Sequence, residues 1–470
     1  MAPSKLLETE PFGFILIIQR GIIMANQNQS RRPGDLNPAF NGGKVTLDHT
    51  GNAAFVLSLE QTTDANLLVL SRSIGARGYF LSQFTPQGEL DPSFADGAGF
   101  VHVEDPIYED RDRLHLLKNG SFLVTGGSDS ELLSASRFHA DGRLDSTYGK
   151  DGHAVVHVSE LIFDGESGAR IHTPEHKSAQ DKGLPPKTGN LISIADGDSL
   201  YLVLTVGWGG YDELLPVVVR LDNQGKLDRA FNGSGYIVLT LAGTLIPFNF
   251  AVAAALQTGG AGSSKLVILV KEALPFTNPD EGQQFLVRYD AEGKQDYSFG
   301  GNGNDQGLVR IDKYDFYVVN ALWADENGAL KVLGASVKDG IGLKGAISGY
   351  TAEGQVDTSF NRGELLLKEI VPGYGNWHGG AFYGQGIEAR MVLSTSVPKD
   401  VTRIGVVRLL DDGNFDETFG EQGIAAFDPA DSGLLVLAQL QLLPNEDIIL
   451  GFKNDIWWLQ GGAATPTHHG

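Results

Sequence analysis

The amino-acid sequence predicts an all-β fold, a seven-bladed β-propeller with four antiparallel strands per blade, and three observations predict it. A glycine-rich motif, seen in "GRLDSTYGKDG" (Gly142–Gly152), occurs seven times along the chain. Each copy is flanked by short apolar or alternating runs of strand character. Glycine makes up 61 of 470 residues, about twice its usual share, without the strict period or the proline content of a collagen, as expected of many turns between short strands.

The copies are "GDLNPAFNGG" from Gly34, "GELDPSFADGAG" from Gly88, "GRLDSTYGKDG" from Gly142 and "GKLDRAFNGSG" from Gly225. They continue with "GKQDYSFGGNG" from Gly293, "GQVDTSFNRG" from Gly354 and "GNFDETFGEQG" from Gly413. Successive first glycines are 54, 54, 83, 68, 61 and 59 residues apart, so two intervals carry insertions. Before each copy runs a strand, as in "LLSASRFHADG" (Leu132–Gly142), and after it a short β run such as "HAVVHV". A hairpin pattern then follows, as in "RLHLLKNGSFLVTGG" (Arg113–Gly127), where "KNG" supplies the turn residues. We letter these strands A and B (the hairpin), C (before the motif) and D (after it).

A small four-stranded sheet buries its faces only against neighbours, which is why such a repeat implies a propeller. The chain starts on motif plus D, "GKVTL" (Gly43–Leu47), and ends on A, B and C, "LLVLAQLQLLPNEDIILGFKNDIWWLQ" (Leu434–Gln460). The N-terminal strand is therefore expected to pair as the outermost strand of the last blade, closing the ring and removing an exposed edge. The domain expectation is one propeller over residues 34–461, a disordered extension over 1–33 and a tail over 462–470.

These seven motifs resemble the delta-60 repeat family, whose pattern runs roughly G-x-L-D-x-S-F-G-x-x-G. Departures include Asn37 for Asp in the first copy, Gln295 for Leu and Tyr148 for Phe. The resemblance implies a bacterial β-propeller and brings no activity, substrate, cofactor or catalytic residue.

Within the motif, Asp91, Asp145, Asp228, Asp296, Asp357 and Asp416 are placed to accept from backbone N–H groups two or three residues on, fixing the C-to-D corner. Phe40, Phe94, Tyr148, Phe231, Phe299, Phe360 and Phe419 are expected to anchor it between blades. A phosphate loop would need a helix after the glycines, where a strand follows. A calcium loop would need alternating oxygen ligands, which only "GGNGNDQG" (Gly300–Gly307) faintly offers. The corners are thus read as scaffold.

In a four-stranded meander the A–B and C–D turns share one rim, and the B–C and D–A connections share the other. The motif paves the first, so candidate sites belong to the second. Long loops there include "ELIFDGESGARIHTPEHKSAQDKGLPPKTGN" (Glu160–Asn190), "GWGGYDELLP" (Gly207–Pro216) and "VPGYGNWHGGAFYGQG" (Val371–Gly386). Trp208, Tyr211, Tyr374, Trp377, His378 and Tyr383 are the candidate ligand-binding residues, since flat apolar rings beside hydrogen-bonding groups suit a sugar ring or peptide side chain. The competing assignment is that these glycine-flanked aromatics pack between blades. His172 and His176 lack a third ligand, so no metal is expected.

No nucleophile elbow, H-E-x-x-H or P-loop occurs, and no catalytic residue is assigned. The leading function is a non-enzymatic binding module or interaction scaffold for a protein or carbohydrate partner. The alternative is a propeller enzyme, a glycosidase or lyase, using acids such as Glu109, Asp110, Asp212 and Glu213 at the channel mouth. A net charge of −22 opposes nucleic acid and anionic membranes, and a monomer without cofactors is expected. With no cysteine, disulfides and thiolate chemistry are absent. The run Phe12–Ala25 is interrupted by Arg20 and lacks a cleavage site, so it reads neither as a membrane span nor as a signal peptide. Met24 is the alternative start, and the default location is cytoplasmic, with export lacking a cleaved signal as the alternative.

Overall fold

A computed structural model describes residues 16–18, 32–49, 52–73, 77–104, 111–128, 132–162, 169–171, 191–208, 213–239, 249–258, 264–272, 283–301, 307–312, 315–338, 340, 342–370, 375–383, 390–397, 403–410, 412–427 and 439–462. The repeat does become four antiparallel strands. One sheet, for example, runs Arg111–Leu116, Phe122–Ser128, Leu132–Phe138 and His153–His157, each pairing with the next. The molecule is a β-propeller.

Central strands read as continuous apolar runs because both of their faces are covered by neighbouring sheets. All six residues of Tyr79–Phe84 are buried, as are all six of Gln284–Tyr289. The inner A strands behave differently: Asn249–Thr258 alternates buried and half-buried residues, and Ala254 and Leu256 of the half-buried set pack on one neighbouring cluster while Ala253 and Ala255 belong to another. The inner strands Asn52–Gln61, Arg111–Leu116, Ile192–Asp196, Asn249–Thr258, Val318–Ala324, Trp377–Tyr383 and Gln439–Leu442 lie against one another in that order, and the last lies against the first.

The sheet count differs from the expectation. The described residues form six sheets, one of them nine-stranded, rather than seven separate ones. In the large sheet Lys44–Thr46 pairs with Trp457–Asp455, the pairing expected of the N-terminal strand, and that strand also continues into Asn52–Gln61. The junction is made by Asp48 opposite Ala53 and His49 opposite Asn52. Part of the N-terminal extension also belongs to the fold, since Leu16–Ile18 pairs with His49–Leu47; this corrects the expectation of disorder for those three residues. The third motif interval holds a short helix, Val158–Ile162, and a strand, Ala169–Ile171, that pairs with Val206–Trp208. No helix of the described residues is long and apolar enough to cross a membrane.

Candidate functional site

The motif corners share one local geometry. Each aspartate Oδ1 accepts the backbone N–H two residues on, from Ser93 (2.8 Å), Thr147 (3.0 Å), Ala230 (3.0 Å), Ser298 (3.1 Å), Ser359 (3.0 Å) and Thr418 (3.1 Å). Asn37 does the same for Ala39 at 3.1 Å, so the one substituted copy keeps the turn. The seven motif aromatics are buried, none more than 2% exposed. The first glycine of the next copy seats against such a ring: Gly142 has φ +85°, and a Cβ there would stand 2.6 Å from Phe94.

The second carboxylate oxygen has a partner that sequence reading missed. Eight residues before the aspartate, strand C places an arginine, and Nε donates to Oδ2 in Arg137–Asp145 (2.7 Å), Arg288–Asp296 (3.0 Å) and Arg408–Asp416 (2.9 Å). Arg220 stands 3.3 Å from Asp228 in the same way. The guanidinium then covers the motif ring, 4.7 Å from Tyr148, 4.6 Å from Phe299 and 4.7 Å from Phe419. Its Nη1 donates into the following repeat, to the carbonyls of Asn223 (2.6 Å), Ala291 (2.8 Å), Ala352 (2.6 Å) and, for Arg408, Gly461. The signal was present as an arginine eight positions ahead of four aspartates. Burial alone would raise these carboxyls, but at Asp145 and Asp296 the hydrogen bonds from Thr147 and Ser298, with the neighbouring cations, outweigh it and hold the group below the usual range.

The other two aspartate-bearing copies lack the arginine and compensate. Gly349 occupies the position in the sixth copy, and Lys331, its cross-strand partner, reaches Asp357 at 3.0 Å and covers Phe360 at 4.4 Å. A Cβ on Gly349 would meet the Phe360 ring at 2.9 Å and the Lys331 ammonium at 3.0 Å. In the second copy Gln83 and Asn66 donate to Asp91, each at 2.6 Å. Corners so fully engaged leave no free ligand set, and among the described residues no group of three metal-ligating side chains occurs. Residues 302–306 of the faint calcium pattern lie outside the described residues.

The predicted rim residues separate. Trp377 is fully buried in a cluster with Leu333, Ile347, Phe360, Met391 and Val407, between two sheets. It therefore cannot offer its ring to a ligand, and its assignment as a binding residue is corrected to packing between blades. The backbones of Trp208, His378 and Tyr383 are in strands and only their backbones are described; Tyr211 and Tyr374 lie outside the described residues, as do His172, His176, Glu109, Asp110 and Asp212. Trp208 is the last residue of strand Ser199–Trp208, opposite Ala169 on one side and Glu213 on the other.

The structure brings together a polar cluster that no motif marks. Glu60 pairs with Leu68, His115 with Leu123 and Gln441 with Ile449, in each case one pair in from the A–B turn of its own hairpin. Three successive inner strands thus carry Gln441, Glu60 and His115 at one level of the axis. Gln441 Nε2 donates to Glu60 Oε2 at 3.1 Å, across 381 positions of sequence. Burial pushes the Glu60 carboxyl up to about 7, against the opposing pull of Arg113 and the Gln441 hydrogen bond. Burial, and then the nearby Arg113, hold the His115 imidazole down to about 3. His115 Nε2 lies 2.7 Å from Ser193 Oγ, which lies 2.9 Å from Thr125 Oγ1. Elsewhere, a groove of about 1030 Å³ crosses the motif corners beside His102, Arg143, Lys150, His153 and Lys226. Asp96, Glu104 and Asp151 balance its cations.

No protein-family model and no curated protein matches the chain. Among solved structures it is similar to the polysaccharide lyase Uly1, at 12% identity and a TM-score of 0.42 over 94% of each chain. It is also similar to Drosophila Plexin A in complex with Semaphorin 1b, at 11% identity and a TM-score of 0.40 over 92% of this chain and 88% of that one. An alpha-L-arabinanase of Penicillium chrysogenum complexed with arabinobiose gives 12% identity and a TM-score of 0.36 over 81% of this chain and 96% of that one. Likeness at such identity concerns fold alone, and the propeller rests on the chain's own strand pairing.

Proposed function

We propose that the chain is a non-enzymatic scaffold that binds a protein or carbohydrate partner on the rim opposite its motif corners. In this reading the nine-stranded sheet is two blades joined at Asp48 and His49, which gives seven blades in a ring closed by Lys44–His49. Support comes from the seven hydrophobic clusters among the described residues, each drawn from two successive four-strand units. Membership in the delta-60 repeat group goes with the same reading, on the strength of the repeated corner.

One observation carries the functional proposal. The longest insertion is not an excursion beside the propeller: it returns strand Ala169–Ile171 to the far end of Ser199–Trp208. The rim that the repeat leaves free is thereby built upon, while the corners of the other rim are consumed by one another. Elaboration that the fold does not require is where binding specificity resides. Trp208 sits at the tip of that addition.

The test is Trp208→Ala in the full chain, read by glycan array and by crosslinking to partners. Signal should fall at least about tenfold, the scale of an aromatic hot spot. Tyr297→Ala, which removes a side chain 67% exposed within a motif corner, should leave binding unchanged. Equal signal from the Trp208 variant and the unaltered chain overturns the assignment. A second reading, a glycosidase or lyase, is favoured by Glu60, whose carboxyl titrates near neutrality beside the axis. Turnover of a bound glycan that Glu60→Gln abolishes would decide for it.

A further inference from the structure

We propose that the axial channel holds a second binding site, for a small carboxylate-bearing ligand received between the Arg113 guanidinium, the Glu60 carboxyl and the Gln441 amide. The site is independent of the rim and of Trp208.

Placement is the first argument. Arg113 precedes His115 by two residues on the same strand, so both leave it on one side, and the strand lies directly against Asn52–Gln61, which carries Glu60. Gln441 reaches Glu60 from the other flank. Cation, carboxyl and amide therefore converge from three adjacent inner strands at the axis.

Their unfilled capacity is the second. Arg113 is exposed and has no ion-pair partner among the described residues. Glu60 keeps some accessible surface although it lies deep among protein atoms, the signature of a group facing a narrow concavity. Gln441 spends its N–H on Glu60, and its Oε1 is buried without a partner. A protonated Glu60 offers an O–H and Arg113 a forked set of N–H donors, which together suit one carboxylate. The Gln441 Oε1 remains to accept from a ligand hydroxyl. A neutral ligand would leave the cation unmatched, and a cationic one would be repelled by it.

Another wall carries an aromatic ring. On strand Val318–Ala324, Trp323 holds the same position relative to its A–B turn, opposite Lys331, and is half-buried. One sector of the channel is thus charged and another aromatic, which favours an acid group carried on a ring that can lie against an aromatic face.

Isothermal titration of the full chain with glucuronate, and with glucose as its uncharged counterpart, tests this at pH 6 and pH 8. Glucuronate should bind at pH 6 and glucose should not. Affinity should fall at pH 8, where Glu60 loses its proton and repels the ligand. Among the described residues Arg113 is the charge that acts on Glu60, and His115 stays neutral at both pH values, so the slope is assigned to Glu60. Arg113→Met should weaken binding about tenfold or more, the usual effect of losing a charge-assisted contact, and Arg113→Lys should restore part of it. Glu60→Gln should bind with no pH dependence, since an amide still donates. Trp208→Ala should bind glucuronate normally, which separates this site from the rim. Absence of glucuronate binding to the unaltered chain, equal binding of glucose, or full affinity in Arg113→Met would each overturn the proposal.

Discussion

In the four arginine-bearing copies the motif aspartate divides its two oxygens between two tasks. Oδ1 closes the turn on itself, and Oδ2 holds a cation that reaches into the next repeat, so one carboxylate serves both a corner and a joint. The first task was legible in sequence, because an aspartate followed two residues later by serine or threonine has a local partner whatever the fold. The second was not, because the arginine and aspartate eight residues apart meet only when strand C and the motif fold back, as at the bridge between Phe138 and Leu144. Arg408 and Asp416 are both nearly inaccessible, at 2% and 4% exposure, so removing one partner strands a buried charge. Arg408→Ala is expected to cost about 3–5 kcal/mol in urea unfolding. Arg143→Ala, on an exposed ion pair with Asp141, should cost about 1 kcal/mol or less.

At the scale of an element, the inner strands show how far local pattern reading reaches. Trp377–Tyr383 falls in a stretch that reads as a long loop running into strand A, and the fate of each ring was not legible there, because a glycine-flanked aromatic has the same local sequence whether it tops a channel or fills a blade interface. Trp377 fills one: Asn320 Nδ2 donates to its carbonyl at 2.5 Å, and its ring meets side chains from both adjoining sheets. Trp377→Ala is therefore expected to destabilise by about 3–5 kcal/mol, measured by chemical denaturation, without removing any exposed binding surface. A variant of unchanged stability would mean that the ring is not held between the sheets. Glu60 illustrates the opposite case: nothing around it in sequence separates it from the other acids of an acidic chain, and only its position among three inner strands gives it a raised carboxyl.

For the whole molecule, the two chain ends rebuild a corner that six other copies make from continuous chain. Gln460 donates to Asp35 at 2.9 Å as Asp222 does to Lys226 at 2.8 Å, and Gly34 donates to Gln460 at 2.6 Å as Gly225 does to Asp222 at 3.0 Å. Gly420 donates to Pro33 at 2.7 Å as Gly149 does to Gln224 at 2.8 Å. The missing ion pair of this corner is replaced by an apolar contact, since Asn37 stands for the aspartate and the Phe40 ring packs on Trp458 at 5.2 Å. Deleting Gly34–Asp48 should therefore lower the melting temperature by far more than about 10 °C, because it removes a strand, a buried phenylalanine and a corner together. Deleting residues 1–15 should leave it nearly unchanged. Equal melting temperatures for the two deletions would show that the terminal strand contributes no more than the extension.

By itself the sequence determined the repeat, its four strands, the identity of the corners as scaffold and the meeting of the two ends. These follow from chemistry that acts within a few residues or recurs at a fixed period: glycine where φ is positive, aspartate where N–H groups need an acceptor, alternation where one face is covered. Only the tertiary structure decided that arginines stitch one repeat to the next, that Lys331 replaces a missing one, that Trp377 is interior, and that Glu60, Arg113 and Gln441 lie on three adjacent inner strands. Each of those depends on residues brought together from separate strands, as far apart as Glu60 and Gln441. Burial and electrostatic environment belong to such assemblies and to no single segment of the chain.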